Sequence, residues 1–219
     1  MKNIIAAAIL SLNSALIIAQ TSSKPVVLYG TVQQQDLQVS PFREWFQPNF
    51  ESYRPADSML KAIKQLPVKD ITIEIFMGTW CGDSKREVPR FYKLLENISF
   101  PQQQVKLIAL GAGDSLVKQS PQHEEAGKGI FRVPTFIIYK KGKEINRINE
   151  YPAFSLEKDL YTILSGSAYE PNYRSFATVK KWLADGTLLD MNSSNPGLAE
   201  QMRPLVTKES ELNSLGRLL

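Results

Sequence analysis

The chain has 219 residues, of which 43% are hydrophobic and 22% are charged. These proportions fit one soluble globular domain with extensions better than a disordered chain or a bundle of membrane-spanning helices. The formal net charge is +4, but the basic residues are scattered along the chain, so nucleic acid is not an expected partner.

Residues 1–20 have the features of a secretory signal peptide, with Lys2 at the charged start and an apolar core from Ile4 to Ala19. An uncleaved membrane anchor is the alternative, but the apolar stretch is short for a bilayer span and contains polar residues. We therefore expect export to an oxidising compartment, periplasmic or extracellular, and no stable membrane association after cleavage.

Residues 21–54 are polar and rich in glutamine, and the sequence predicts an N-terminal extension that packs on a domain through its aromatic side chains. Those side chains are Trp45, Phe46, Phe50 and Tyr53. From Asp57, apolar residues recur at helical spacing until Pro67, which predicts a short helix leading into the core.

The only cysteine of the chain, Cys81, lies between a predicted strand and a predicted helix. Residues Ile71 to Met77 are mostly β-branched or apolar, as in a buried central strand. Apolar residues then follow at helical spacing and predict a helix from about Gly82 to Asn97. A thiol at a helix start is favoured as thiolate by the free backbone N–H groups and the helix dipole.

The remaining elements complete a mixed α/β pattern. A buried strand is predicted at Val105 to Leu110, and two strands, Thr135 to Lys140 and Glu144 to Asn149, flank a hairpin turn. A helix from Ser155 to about Leu164 follows. This order argues for an α/β sandwich with a mixed sheet.

After Gly166 the pattern changes to a predicted helical appendage over residues 167–219. Four apolar residues predict a helix that Gly186 ends, and a second amphipathic piece spans residues 209–219. The four residues are Tyr173, Phe176, Val179 and Leu183. The appendage either packs on its own domain or forms a dimer contact; packing is the preferred interpretation, and we expect a monomer.

Two motifs resemble the signatures of the thioredoxin family. One is Gly-Thr-Trp-Cys-Gly-Asp-Ser-Lys at residues 78–85, with Pro89 eight positions after the cysteine; the other is Gly-Ile-Phe-Arg-Val-Pro-Thr-Phe-Ile-Ile-Tyr-Lys-Lys-Gly at residues 129–142. The resemblance implies a thioredoxin-like sandwich over residues 55–166, with a central mixed sheet flanked by helices and a C-terminal helical extension.

The resemblance also implies the site residues. The implied catalytic residues are the nucleophile Cys81, with Ser84 and the basic Lys85; the implied substrate-binding residues are Trp80, Gly82, Asp83, Val133 and Pro134. Val133-Pro134 is the implied cis-proline site, folded back against the cysteine and able to pair with an extended client peptide. The expected partners are protein thiols, disulfides or extended peptides, and we expect neither a cofactor nor a metal site.

Two departures from the family pattern limit the chemistry. Ser84 stands where the family has its resolving cysteine, which excludes ordinary dithiol reduction by one chain because a serine hydroxyl cannot attack a disulfide sulfur. Ile75 stands where many members keep a buried acid, although a shift of one residue would put Glu74 there. His123, the only histidine, is interpreted as a solvated surface residue rather than a catalytic base.

These residues predict an exported monothiol protein that exchanges or isomerises disulfides. The alternative is a thioredoxin-fold module that binds peptides without chemistry. A monothiol glutaredoxin also has Cys-Gly-x-Ser, but Trp80, Asp83 and the export signal argue against it.

Overall fold

A computed structural model describes residues 26–112 and 118–185 of the chain. The predicted signal peptide, Gly186 and the predicted helix at 209–219 lie outside these residues. The described residues form one five-stranded sheet in the order β1-β3-β2-β4-β5. The strands are β1 (Gly30–Val32), β2 (Ile71–Met77), β3 (Val105–Ala109), β4 (Thr135–Lys140) and β5 (Lys143–Asn149).

Five α-helices accompany the sheet in the described part of the chain: α1 (Arg43–Ser52), α2 (Asp57–Lys64), α3 (Gly82–Asn97), α4 (Leu156–Leu164) and α5 (Ala177–Ala184). Short 3₁₀ helices occupy Gln34–Gln38 and Gln102–Gln104. The Ser155 side chain caps α4 by accepting a hydrogen bond from the Lys158 N–H.

The prediction of an α/β fold with a mixed sheet is confirmed. Strand β2 is parallel to β3 and antiparallel to β4, and β5 and β1 are antiparallel edge strands. Parallel neighbours need a crossover, and α3 supplies the one between β2 and β3. Because β4 runs opposite to β2, the start of β4 lies beside the end of β2, where Thr135 pairs with Phe76.

The main core lies between one face of the sheet and helices α1 to α4. Alternate residues of β2 face it, and Ile75 is fully buried there. A second, smaller cluster on the other face consists of Phe76, Ile108, Leu110, Ile130, Val133 and Ile137, with Trp80, Cys81 and Tyr139 packed against it. Within the described residues this second cluster takes no member from a helix, and the loop before β4 contributes Ile130 and Val133 to it.

The segment before α2 is built into the sheet and the core. Strand β1 pairs antiparallel with β3, and the Leu37 and Phe46 side chains are completely buried. Trp45, Phe50 and Tyr53 pack partly buried against the same core. The aromatic residues therefore anchor this segment, while β1 and α1 are elements that the sequence pattern did not predict.

Within residues 26–112 and 118–185, none of the helices has both the length and the apolar character that a membrane span requires.

Candidate functional site

Cys81 lies where the chain leaves the sheet and enters helix α3. Its extended backbone makes it the residue that precedes the first turn of the helix, and its N–H donates to the Gly78 carbonyl at 2.9 Å. The residue is partly exposed. The free N–H groups of the first turn of α3 follow Cys81 directly, but its thiol makes no capping hydrogen bond to them.

The structure brings Val133 and Pro134 to the same place. The Cys81 Sγ donates to the Val133 carbonyl oxygen at 3.2 Å, and the Val133-Pro134 peptide bond is cis. The strand arrangement explains the contact, because Pro134 immediately precedes β4, whose first residue pairs with the end of β2. Cys81 and Val133, which belong to different motifs and are 52 positions apart in the sequence, are thus in direct contact.

Trp80 connects the cysteine turn to the end of strand β3. Its indole Nε1 donates to the Leu110 carbonyl at 3.0 Å, and the ring is half-buried. The ring also covers Gly78 so closely that a Cβ there would lie 2.5 Å from Trp80 Cε2. The glycine is therefore required by the close approach of the indole.

The Ser84 side chain makes a structural contact within the turn. Its side chain is completely buried, and its Oγ accepts a hydrogen bond from the Gly78 N–H at 3.1 Å. The hydroxyl thereby satisfies a backbone donor of the turn that carries Cys81. In this structure Ser84 holds the turn and has no exposed surface through which to meet a substrate.

The outward side of the first helical turn is exposed and charged. Gly82 is exposed, and Asp83 and Lys85 are partly exposed. The Arg86 Nη2 lies 2.6 Å from Asp83 Oδ1, and its Nε lies 2.5 Å from Glu87 Oε1. Partial burial acts to lower the pKa of Arg86, but its two carboxylate partners outweigh burial and raise that pKa. The carboxylates nearest the turn are thus engaged with Arg86.

The register of β2 decides between Glu74 and Ile75. Ile75 points into the main core, whereas Glu74 points to the opposite face. There its Oε2 accepts from Lys128 Nζ at 2.6 Å and from the Tyr139 hydroxyl at 2.8 Å. Burial and the Glu74 carboxylate raise the pKa of Tyr139 above its ordinary value. Glu74 therefore belongs to a separate polar cluster, and the apolar Ile75 is the residue of this pair that faces the main core.

A cluster beside Val133-Pro134 was not predicted from the sequence. Arg132 Nη1 lies 3.5 Å from Glu150 Oε1, and the Tyr173 hydroxyl donates to the same carboxylate. The sequence placed Tyr173 on a helix face, but this was wrong: α5 begins at Ala177, and Tyr173 precedes it with a φ of 71°. The three members of this cluster lie far apart in the chain, and no local sequence pattern links them.

His123 lies in a loop with its side chain 44% exposed, and its Nδ1 is 3.3 Å from Glu125 Oε1. The glutamate carboxylate is fully buried and also accepts from the Ser120 N–H at 3.0 Å. These contacts join the histidine to its own loop rather than to Cys81.

The assembled site presents one partly exposed sulfur at a helix start, next to a backbone carbonyl that leads into a strand. A thiol placed in this way can act as a nucleophile once it has lost its proton. Comparison of the sequence with models of known protein families found no match, and comparison with curated proteins found none either.

Proposed function

We propose that this chain is an exported member of the thioredoxin family that uses the single thiol of Cys81 for disulfide exchange or isomerisation on protein clients. The observation that carries the proposal is the contact of 3.2 Å between Cys81 Sγ and the Val133 carbonyl, made at the start of a helix. Export rests on the signal-like residues 1–20.

The arrangement of elements supports a thioredoxin-like fold as the specific form of the α/β class. A β2-α3-β3 unit is followed by the hairpin of β4 and β5 and then by α4. The two motifs that resemble the family signatures fall at the end of β2 and the start of β4, which are neighbours in the sheet. Chemistry at the carboxyl end of a strand in an α/β sheet follows a general rule for such folds.

The proposed reaction has two balanced steps. The Cys81 thiolate attacks one sulfur of a client disulfide, forming a mixed disulfide and releasing the other client sulfur as a thiolate. A client thiolate then attacks the mixed disulfide at the client sulfur, forms a new client disulfide and releases the Cys81 thiolate. No net electrons are transferred, so the cycle is an isomerisation that requires no second cysteine.

The surrounding residues have distinct roles in this proposal. Val133 is buried in this structure, so in this proposal an extended client segment displaces part of its surroundings in order to pair with the Val133 backbone next to the sulfur. The exposed Gly82 leaves the approach to Cys81 open, since nothing lies within 4 Å of a Cβ built there. Lys85 and Asp83 are partly exposed and would contact the client, while Ser84 holds the turn from behind.

Trapping of the mixed disulfide tests the proposal. The purified protein is mixed at neutral pH with an excess of a peptide dimer, two copies of a peptide joined through their single cysteines, so that the released peptide thiol leaves; the reaction is quenched with acid, and intact mass is measured. We expect an adduct of the protein with the peptide, and no adduct for Cys81→Ser, because this variant lacks the only sulfur nucleophile. Absence of the adduct from the unsubstituted protein would contradict the proposal.

A non-catalytic peptide-binding module is the second candidate function. The buried Ser84 favours it, because its hydroxyl is engaged with the Gly78 N–H and offers no route for resolving a mixed disulfide within the chain. Under this candidate, Cys81→Ala binds clients and retains the biological activity. Loss of that activity, with folding and peptide binding intact, would eliminate it.

A further inference from the structure

The loop that carries Val133 and Pro134 is clamped by a cluster of three side chains. The Arg132 guanidinium lies 5.0 Å from the centroid of the Tyr173 ring and 3.5 Å from the Glu150 carboxylate. The Tyr173 hydroxyl donates to the other oxygen of that carboxylate. Arg132 and Glu150 are largely buried, with side chains 19% and 12% exposed. Each member of this cluster thus contacts the other two.

The cluster is connected by backbone to the carbonyl that faces the thiol. Arg132 directly precedes Val133, and its own carbonyl accepts from Thr135 Oγ1 at 2.7 Å. On the other side, the Pro134 carbonyl accepts from the Glu150 N–H at 2.6 Å. Val133 is therefore held between two residues whose positions the cluster fixes.

Tyr173 is fixed in turn by its own surroundings. The residue is buried, and its ring makes edge contacts with Phe131 at 6.1 Å and with Tyr151 at 6.3 Å. Burial, followed by the Glu150 carboxylate, raises the pKa of Tyr173 well above its ordinary value. The hydroxyl consequently remains a hydrogen-bond donor to Glu150 across the neutral range.

We infer that Tyr173 is a positioning residue for the Val133 carbonyl and backbone, acting through Arg132 and Glu150. This inference rests on the proposed function and deepens it, because it extends the client-binding machinery into the segment after α4. That segment lies beyond residues 55–166, over which the family resemblance runs. Under this inference, residues before and after position 166 together determine where the client backbone binds.

The test compares two reactions of the same sulfur. Exchange with a peptide disulfide requires the client to pair with the Val133 backbone, whereas alkylation by iodoacetamide requires no such pairing. For Tyr173→Ala we expect the exchange rate to fall about tenfold and the alkylation rate to stay within about twofold, since small displacements of a positioned group have large effects on rate. Tyr173→Phe keeps the ring and should lower exchange by about threefold.

Tyr161→Ala is the matched control, because Tyr161 is a half-buried tyrosine of α4 that packs on the main core. Both of its rates should match the unsubstituted protein. Equal exchange rates for Tyr173→Phe and the unsubstituted protein would overturn the inference, as would a parallel change of both reactions in Tyr173→Ala. Absence of exchange in the unsubstituted protein would overturn the proposed function and this inference with it.

Discussion

Gly78 shows how one position can fix the geometry of the candidate site. The Trp80 ring lies over it, and the indole is held by its hydrogen bond to the Leu110 carbonyl. Gly78 also donates its N–H to Ser84 Oγ. A side chain at this position would therefore displace both the indole and the turn that carries the cysteine.

We predict that Gly78→Ala destabilises the protein by about 1–3 kcal/mol, the range for a side chain forced into a packed site. Urea unfolding followed by circular dichroism measures the change. Gly82→Ala is the control, since nothing lies within 4 Å of the added carbon and alanine favours a helix over glycine by up to about 1 kcal/mol. Equal stability losses in the two variants would contradict this interpretation of Gly78.

At the scale of residues, the sequence was informative where the candidate site residues belong to a local pattern. Cys81, Val133 and Pro134 belong to recognisable motifs, and the structure brings them together. The contacts of Tyr173 with Arg132 and Glu150 carry no such signal, because they join positions that are distant in the chain. Long-range side-chain contacts of this kind depend on the whole fold, so the spacing of apolar residues along the sequence cannot reveal them.

At the scale of elements, a carboxylate joins the first two helices to α4. Glu157 in the first turn of α4 accepts from the Tyr53 hydroxyl and, at 3.3 Å, from the Ala56 N–H. Burial acts to raise the pKa of Glu157, but these hydrogen bonds outweigh it and the pKa lies below its ordinary value. The connection between α4 and the first two helices therefore depends on the ionised form of the Glu157 carboxylate.

We predict that Tyr53→Phe destabilises the protein by about 1–3 kcal/mol at pH 7 and by less at pH 3. A carboxylate with a lowered folded pKa contributes stability above its unfolded pKa, and that contribution is lost as the pH falls through the folded pKa. Urea unfolding at the two pH values measures the difference. Tyr29→Phe, at a tyrosine that is 43% exposed, is the control. If Tyr53→Phe destabilised the protein more at pH 3 than at pH 7, the conclusion that Tyr53 binds the ionised Glu157 carboxylate would be wrong.

The elements themselves were predictable in proportion to their length and regularity. Helix α3 and strand β2 have the predicted bounds, because sixteen and seven residues are enough to show a period. Strand β1 has only three residues, too few to show a period, and it is a strand because it pairs with β3. Helix α1 contains Pro48, which interrupts a helical pattern in sequence although the helix runs through it.

At the scale of the whole molecule, the two faces of the sheet have different partners. Helices α1 to α4 pack on the face that holds Ile75. On the other face, among the described residues, the loop before β4 adds Ile130 and Val133 to the smaller cluster against which Cys81 packs. The α/β class was predictable from the order of elements, but which face each element covers depends on packing that only the folded chain shows.

The central claim is that the fold presents Cys81 as a reactive thiol. The second-order rate of its alkylation by iodoacetamide at pH 7, compared between the native and the urea-unfolded protein, tests this most directly. A native thiol activated by the start of α3 should react about threefold faster than the unfolded one, because the gain in thiolate fraction exceeds the loss of nucleophilicity. A native rate equal to or below the unfolded rate would contradict the account.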